Sequence, residues 1–436
     1  MILRVILKNF LSFKDEVHFD MFPNMKRTSL SNHISMLNEN LPVLKMASIY
    51  GANGAGKSNL LKGVSFLKEL ALNKGFLDKE SIGKYFFALQ ENVGTDPLEL
   101  TIEFVTESGV PFIYSVEIMD TGISFETLQI SGLGNEENTN IFTRQGNQIE
   151  FAIEPSDEIR KMILGWMEKN PFASLLTINN DMPVLTDKNI DTAQTWFNEE
   201  LIIIGLHSFN PALIGIFKNN KDINRFASEL FKVIDLGIGG VTVETENFDD
   251  WISTHNSKNL PMDKLRDMRS GVLSEVVDFR NTRDISVEDG VQKISQMMFK
   301  QFGENGFSKD MDIQAQSDGT VRLLSLVPAL YKAMKSNKTV FIDEIDHSIH
   351  PHLVRELIRY FSKQETNGQL IFTTHQTCLL NQEFLRTDEV WMVEKKSGSS
   401  YMYSLNDFKI HNTINIENGY MEGRYGAIPF VGDLNM

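Results

Sequence analysis

The segment Gly51-Ala52-Asn53-Gly54-Ala55-Gly56-Lys57-Ser58 decides the fold of this chain. It fits the pattern G-x-x-x-x-G-K-[ST], whose glycines let successive backbone N–H groups curl around a phosphate. In such a loop the lysine reaches the β- and γ-phosphates and the serine hydroxyl binds Mg²⁺. The sequence therefore predicts a site for ATP and Mg²⁺, with Ser58 on the metal. The residues predicted to contact the nucleotide are Gly51, Asn53, Gly54, Ala55, Gly56, Lys57, Ser58 and Asn59.

The flanking sequence supports this prediction. Residues 46–50 read as a short buried strand, and Leu60, Leu61, Val64, Leu67 and Ala71 follow at helical spacing. The helix would direct its positive N-terminus at the bound phosphate. A glycine-rich turn that arises by chance is disfavoured by this order of strand, loop and helix.

Two further strands are predicted to end in chemically useful side chains. Residues 339–342 form an apolar run that is followed by Asp343 and Glu344. Asp343 suits an indirect hold on Mg²⁺, and Glu344 suits the general base that polarises an attacking water. The run 370–374 ends at His375, which is placed to reach a γ-phosphate. Alone, such a histidine is more often structural.

Composition sets broad limits on the class of protein. The chain has 436 residues, 42% of them hydrophobic and 23% charged, which suits a globular protein of two or three domain-sized units. No apolar run approaches the length of a membrane helix, so we expect no membrane contact. The single cysteine, Cys378, excludes an internal disulfide and fits the cytoplasm. A net charge of −16 argues against a surface built wholly for nucleic acid, although a local basic groove stays open.

Patterning divides the chain into three segments. Residues 1–154 contain two strands, the glycine loop and an antiparallel meander over 97–153. Residues 155–305 form a mostly helical insert with no chemical motif, and we predict helices at 157–169, 192–200, 222–234 and 291–302. Residues 306–436 return to alternating strands and helices.

The motif Ser317-Asp318-Gly319-Thr320 opens the last segment at the start of an apolar helix. Ser317 or Asp318 can cap this helix. Glycine weakens a helix, so Gly319 makes sense if a ligand approaches its backbone closely. Further on, His347, His350 and His352 raise a zinc hypothesis, which we disfavour because they straddle a loop and a helix start without cysteine.

Together these motifs resemble the ABC-type ATPase heads of SMC proteins, DNA-repair ATPases and OLD-family proteins. More narrowly, the chain resembles the group called AAA family fifteen, which includes abortive-infection and phage-defence ATPases such as AbiL, RloA and the AriA ATPase of the PARIS system. The narrower match rests on four stretches: Asn9-Phe10-Leu11-Ser12-Phe13, Ser317-Asp318-Gly319-Thr320, residues 343–351, and Gly423-Arg424-Tyr425-Gly426-Ala427-Ile428-Pro429.

The resemblance implies an α/β P-loop NTPase fold, namely an ABC-ATPase-like head with an antiparallel β subdomain and the helical insert. It implies a homodimer or higher homo-oligomer in which each ATP lies between the P-loop of one subunit and Ser317 and Gly319 of the other. It also implies that Asp346 lies in the loop at the dimer seam and that His375 is the switch histidine. Residues 1–154 and 306–436 would be the two halves of the head.

Three functions follow from these features. The first is an ATPase that acts as sensor or regulator of an antiviral defence system, with a separate effector such as a nuclease or toxin. The second is a DNA-repair or SMC-like ATPase, which the lack of a sustained heptad run between Lys57 and Ser317 disfavours. The third is an ATP-gated scaffold with little turnover, which Glu344 disfavours because a pure binder needs no base.

Overall fold

The computed structural model describes residues 1–181, 185, 187–206, 210, 212–234, 236–254, 272–276, 282–410 and 414–428. The chain divides into two compact units. The first comprises Met1–Leu206, Lys332–Ile345 and Phe361–Met436, and the second comprises His207–Tyr331 and Asp346–Tyr360.

The strands are, in chain order, β1 Ile2–Lys8, β2 Val17–Asp20, β3 Ile34–Met36, β4 Pro42–Leu44, β5 Met46–Tyr50, β6 Leu98–Val105, β7 Pro111–Met119, β8 Gly122–Ile130, β9 Thr139–Gln145, β10 Gln148–Phe151, β11 Leu201–Ile204, β12 Ile238–Asn247, β13 Val272–Val276, β14 Thr282–Glu288, β15 Val291–Phe302, β16 Ser308–Asp312, β17 Thr339–Ile342, β18 Gln369–Thr373, β19 Val390–Lys396 and β20 Ser399–Ser404. The helices are α1 Lys57–Leu72, α2 Asp157–Lys169, α3 Leu175–Asp181, α4 Lys188–Thr195, α5 Leu213–Asn219, α6 Lys221–Val233, α7 Phe248–Thr254, α8 Asp318–Lys335, α9 Pro351–Ser362 and α10 Ile416–Met421.

A six-stranded sheet forms the centre of the first unit. Its strand order is β11-β17-β18-β5-β19-β20, and every pairing is parallel except that of β19 with β20. Every residue of β5, β17 and β18 is buried, because a parallel sheet covered on both faces needs continuous apolar strands rather than alternating ones. The P-loop, Asp343 and His375 all follow carboxyl ends of these strands. The predicted P-loop α/β fold is confirmed.

A seven-stranded antiparallel sheet completes the first unit, in the order β10-β9-β8-β7-β6-β1-β2. In β7 buried and half-buried side chains alternate along the whole strand, as the two faces of a pleated strand require. One apolar core joins this sheet to α1, and within it the Trp196 ring stacks on the Phe104 ring with centroids 4.0 Å apart. The antiparallel β subdomain predicted for this fold is therefore present.

The second unit contains another antiparallel sheet, in the order β12-β15-β14-β13 with β16 also paired to β15. The prediction of a helix over 291–302 is wrong, because this stretch is the strand β15. The apolar residues of this stretch fit the spacing of a helix and the alternation of a strand equally well. The stretch forms a strand because it pairs with β12 along one edge and with β14 and β16 along the other. Asp289 and Gly290, with φ of 52° and 79°, form the tight turn between β14 and β15. An Asp-Gly pair is a strong hairpin signal, and it could have corrected the prediction.

The other predicted helices are present. The helix predicted at 157–169 is α2, and Ser156 caps it by accepting a hydrogen bond from the Ile159 N–H. The helix predicted at 222–234 is α6, one residue earlier in the chain. The helix predicted at 192–200 coincides with the end of α4 and the π-helical turn Trp196–Glu200. Among the described residues, no helix is both long enough and apolar enough to cross a membrane.

Candidate nucleotide site

The P-loop joins the buried strand β5 to helix α1, as the sequence predicts. Gly56 precedes the helix with φ of 116°, a conformation that residues with a Cβ rarely adopt. A Cβ at this position would also lie 2.6 Å from Ser400 Oγ and 2.7 Å from Ser12 Oγ. The last glycine of the loop is therefore required by both its backbone angle and its surroundings.

Lys57 is the first residue of α1, and its side chain is buried. Its ammonium Nζ donates hydrogen bonds to the carbonyl oxygens of Gly51, at 2.8 Å, and Ala52, at 3.2 Å. The positive charge thus lies against the first two residues of the loop. A phosphate held by the loop would meet this charge directly.

Ser58 and Asp343 meet at the carboxyl edge of the central sheet. Ser58 Oγ donates a hydrogen bond to Asp343 Oδ1 at 3.0 Å, although 285 positions separate the two residues. Thr373, the last residue of β18, donates from Oγ1 to the same carboxylate oxygen at 2.7 Å. Asp343 is buried, so the two hydroxyls fix its orientation. The pair predicted to hold Mg²⁺ is brought together by the fold.

Glu344 follows in a left-handed backbone conformation with φ of 46°. Such a conformation costs a non-glycine residue about 1–2 kcal/mol. The Glu344 N–H donates to Thr373 Oγ1 at 2.7 Å, so the threonine hydroxyl holds this backbone as well as the carboxylate of Asp343. The Glu344 side chain is half-buried at the same edge of the sheet.

His375 is exposed and lies two residues beyond the end of β18. Thr374 N–H donates to Ile49 O at 3.2 Å, which keeps this segment beside the strand that leads into the P-loop. Gln376 N–H then donates to Thr374 Oγ1 at 3.0 Å. The predicted switch histidine therefore lies at the edge of the sheet from which the P-loop leaves.

Two serines that sequence reasoning did not select support the other side of the loop. Ser12 Oγ accepts a hydrogen bond from Asn59 Nδ2 at 2.8 Å, and Ser400 Oγ donates to Ala55 O at 2.5 Å. The two hydroxyls also bond each other at 2.7 Å. Ser12 belongs to the N-terminal motif Asn9–Phe13, so the motif was a usable signal. Ser400 carried none, because only the fold brings β20 to the loop.

The remaining predicted residues, Ser317, Gly319 and Asp346, belong to the second unit. Ser317 caps α8, since its Oγ accepts a hydrogen bond from Thr320 N–H at 3.1 Å. A Cβ at Gly319 would lie 2.5 Å from Ser348 O. A close approach of the chain's own backbone therefore gives this glycine a structural reason, and the ligand contact that the sequence suggests stays a prediction. Asp346 begins the neighbouring turn, and its carbonyl accepts from Ile349 N–H at 3.0 Å.

The fold and the site define a P-loop ATPase of the AAA or ABC type. A family described as "AAA domain, putative AbiEii toxin, Type IV TA system" matches residues 46–381, which is more than half of the chain. The chain belongs to this family.

The chain is also similar to solved structures of SMC head domains. An SMC head bound to the C-terminal winged-helix domain of ScpA is 16% identical, with 92% of this chain and 97% of that one covered and a TM-score of 0.47. The SMC head domain from Thermotoga maritima is 13% identical, covering 92% and 98%, with a TM-score of 0.42. The Smc head with a coiled coil and joint from Pyrococcus yayanosii is 12% identical, covering 97% and 99%, with a TM-score of 0.46. No curated protein sequence matches the chain.

Proposed function

We propose that this protein binds and hydrolyses ATP. The observation that carries the proposal is the hydrogen-bonded set at the carboxyl edge of the central sheet, in which Ser58 and Thr373 hold Asp343 and Thr373 also holds the backbone of Glu344. The set lies beside the P-loop and its buried lysine, which suit a triphosphate. A merely structural sheet edge would not need a strained acidic residue at that point.

Each residue of the site has a role in this proposal. The P-loop N–H groups and Lys57 bind the phosphates, with Asn59 and Ser12 supporting the loop. The hydroxyl and carboxylate oxygens of Ser58 and Asp343 fit Mg²⁺, which prefers oxygen ligands. When bound, Mg²⁺ would neutralise phosphate charge. The Glu344 carboxylate would accept a proton from the attacking water, and the exposed imidazole of His375 would donate a hydrogen bond to the γ-phosphate.

The site is completed by a second copy of the chain in this proposal. Each ATP would lie between one P-loop and the partner subunit's Ser317 and Gly319, with Asp346 at the seam. The resemblance to ABC-type heads supports this arrangement. The capped start of α8 also supports it, because a helix N-terminus carries partial positive charge suited to a γ-phosphate.

In the cell, we propose a cytoplasmic sensor or regulator of antiviral defence that acts with a separate effector, a nuclease or a toxin. The family description, which names a putative AbiEii toxin and a type IV TA system, supports a role in such a system. The resemblance of four motifs to the AAA family fifteen group supports it as well. Closure of the dimer on ATP, or its release, would change the state of the effector.

The first experiment measures ATP binding by calorimetry and phosphate release for the wild type, Lys57→Ala and Glu344→Gln. We expect Lys57→Ala to lose binding and Glu344→Gln to bind ATP but hydrolyse it at least about 100-fold more slowly. Lys79 and Glu365 are exposed. Lys79→Ala and Glu365→Gln are therefore matched controls, and both should bind and hydrolyse ATP as the wild type does. Unchanged ATP affinity in Lys57→Ala would contradict the proposed phosphate site, and wild-type turnover in Glu344→Gln would place the base elsewhere.

The second experiment tests the biological role. Tagged Glu344→Gln protein is captured from its native host with ATP and Mg²⁺, and bound protein and nucleic acid are identified together. A small effector that is captured with ATP and absent from a Lys57→Ala capture supports the defence role. Abundant DNA that survives moderate salt, with no effector, contradicts that role and supports an ATPase that acts on DNA.

A further inference from the structure

The C-terminal segment 415–428, called the tail here, contains α10 and the turn that follows it. It includes Gly423 to Ile428 of the tail motif, whereas Pro429 lies outside the described residues. The proposed chemistry assigns no role to this motif. The motif packs against α10, and α10 in turn contacts the two segments that carry the P-loop and His375.

The tail is a packed element with its own hydrogen bonds. Tyr420 is buried on α10, and its hydroxyl donates to Ala427 O at 3.0 Å. Tyr403 on β20 donates from its hydroxyl to Tyr425 O at 2.7 Å. The Phe408 ring contacts the edge of the Tyr425 ring at a centroid distance of 5.4 Å. The turn after α10 is therefore fixed to the helix and to the central sheet.

The tail contacts the residue that precedes the P-loop. Tyr50 is buried at the end of β5, directly before Gly51, and its ring lies 6.0 Å from the Tyr420 ring in an edge-on arrangement. The Tyr50 hydroxyl donates to Gln376 O at 3.1 Å. Tyr50 thus links the P-loop strand, the tail and the segment that follows His375.

The tail also bonds the His375 segment directly. Thr377 Oγ1 donates to Glu417 Oε1 on α10 at 2.8 Å, and both side chains are half-buried. On the other side of His375, Thr374 Oγ1 accepts from Gln376 N–H. The chain is therefore held by hydrogen bonds immediately before and after the histidine, and one of these anchors comes from the tail.

We propose that the tail positions His375 for ATP hydrolysis, with Glu417 as the positioning residue and Tyr420 as the support of Tyr50. This inference rests on the proposed ATPase function. Glu417 and Thr377 do not bind ATP in this arrangement, and the P-loop and Lys57 supply most of the ATP affinity, so the tail acts mainly on the rate of turnover. A purely structural tail would instead alter the stability of the protein and leave the rate constant of the folded fraction as it is.

The experiment compares kcat and KM for ATP in the full chain with Glu417→Ala, Glu417→Gln, Thr377→Val and the double variant Glu417→Ala/Thr377→Val. We expect kcat to fall about threefold to tenfold in Glu417→Ala and Thr377→Val, with KM unchanged, which is the effect of losing one positioning hydrogen bond. The double variant should be no slower than either single variant, because all three lack the same bond. Glu417→Gln keeps an acceptor oxygen and should retain turnover close to that of the wild type.

A matched control lies in the same tail, directly after the last residue of α10. Glu422 is exposed and pairs with Arg424, so Glu422→Ala should leave kcat unchanged. Thermal unfolding of each variant, monitored without nucleotide, reports the folded fraction. Tyr420→Leu, which removes the ring that contacts Tyr50, tests the second contact of the tail and should also lower kcat.

Three outcomes would overturn the inference. These are a wild-type kcat in Glu417→Ala, an equal loss in Glu422→Ala, or additive losses in the double variant. A wild-type protein that binds but does not hydrolyse ATP would overturn the proposed function and the inference with it. Wild-type hydrolysis together with an unaffected Glu417→Ala would overturn the inference alone.

Discussion

Thr373 is the residue on which the geometry of the site depends most. It is fully buried, and its hydroxyl donates to Asp343 and accepts from the backbone of Glu344. One small side chain therefore fixes both acidic residues, one by its carboxylate and one by its strained backbone. At this scale the geometry of the site depends on single hydrogen bonds around one buried carboxylate.

We expect Thr373→Val to lower kcat for ATP about tenfold or more, because Asp343 loses a donor and the Glu344 N–H loses its acceptor. Thr373→Ser keeps the hydroxyl and should restore most of the rate. Thr366→Val is the matched control, since Thr366 is buried and donates to Ala333 O but touches no site residue. Steady-state phosphate release checks the prediction. Equal losses in Thr373→Val and Thr366→Val would show a general effect on stability.

At the scale of elements, the first turn of α8 packs closely against the turn that contains Ser348. Gly319 lies in its first turn with Ser348 O directly against the position of a Cβ. The glycine thus allows the two backbones to approach, which a helix propensity scale would count only as a cost. The helix tolerates the low helix propensity of Gly319 because the close approach of Ser348 O fixes where α8 begins.

The substitution Gly319→Ala should lower the free energy of unfolding by about 1–3 kcal/mol, since a backbone oxygen must move to admit the methyl group. Gly165→Ala is the control. Gly165 lies within α2 with no atom near its Cβ position, so alanine there should be neutral or stabilise by up to about 1 kcal/mol. Denaturant unfolding measures both variants. A neutral Gly319→Ala would show that the turn at Ser348 adapts.

The antiparallel sheet of the first unit holds a buried ionic cluster. Glu126 accepts hydrogen bonds from Tyr114, at 3.0 Å, and from Leu175 N–H, at 3.0 Å, and its Oε2 lies 3.5 Å from Arg144 Nη1. Burial raises the pKa of Glu126 above its ordinary value of 4.5, and the charge of Arg144 opposes that rise. The cluster ties β8 and β9 to the start of α3.

Removing Arg144 from this cluster should lower the free energy of unfolding by an amount that depends on pH. In Arg144→Met the pKa of Glu126 rises further, so the folded state keeps a proton that the unfolded state loses above about pH 4.5. Stability of the variant therefore falls as pH rises, and near neutral pH the deficit should reach about 3–5 kcal/mol. Denaturant unfolding between pH 4 and pH 7 tests this. The double variant Glu126→Gln/Arg144→Met should lose the pH dependence, and a deficit that is constant with pH would contradict the argument.

At the scale of the whole molecule, the chain divides into two units, and each unit carries some of the residues predicted to form the ATP site. The first unit holds the P-loop, Asp343, Glu344 and His375, and the second holds the Ser317 motif and Asp346. In our proposal the two sets complete each other across a dimer. The state of assembly then follows from the nucleotide that is bound.

We expect the Glu344→Gln protein with ATP and Mg²⁺ to have twice the mass of the 49.6 kDa chain, because unhydrolysed ATP holds the dimer closed. Lys57→Ala should keep the same mass with and without ATP. Light scattering after size exclusion measures both. A mass of Glu344→Gln that does not change with ATP would contradict the ATP-held dimer.

Sequence patterns alone were enough to predict the P-loop, the strand–loop–helix around it, the acidic strand end and the antiparallel meander. These are local signals, since glycine angles, alternation and capping act over a few residues. Sequence reasoning missed the strand at 291–302, because its apolar residues fit a helix and a strand alike and the Asp289-Gly290 turn signal before it was not used; pairing with β12 and β14 identifies the strand.

Contacts between residues that are distant in the chain could not be predicted from the sequence and depend on the tertiary fold. The contacts of Ser58 with Asp343, Ser12 with Ser400, and Thr377 with Glu417 join positions 285, 388 and 40 residues apart. The contact of Ser58 with Asp343 depends on strand order, because β5 and β17 run parallel in the central sheet and bring their carboxyl ends to one edge whatever their separation in the chain. A local pattern cannot encode that order, which arises when all the strands and helices bury their apolar faces together.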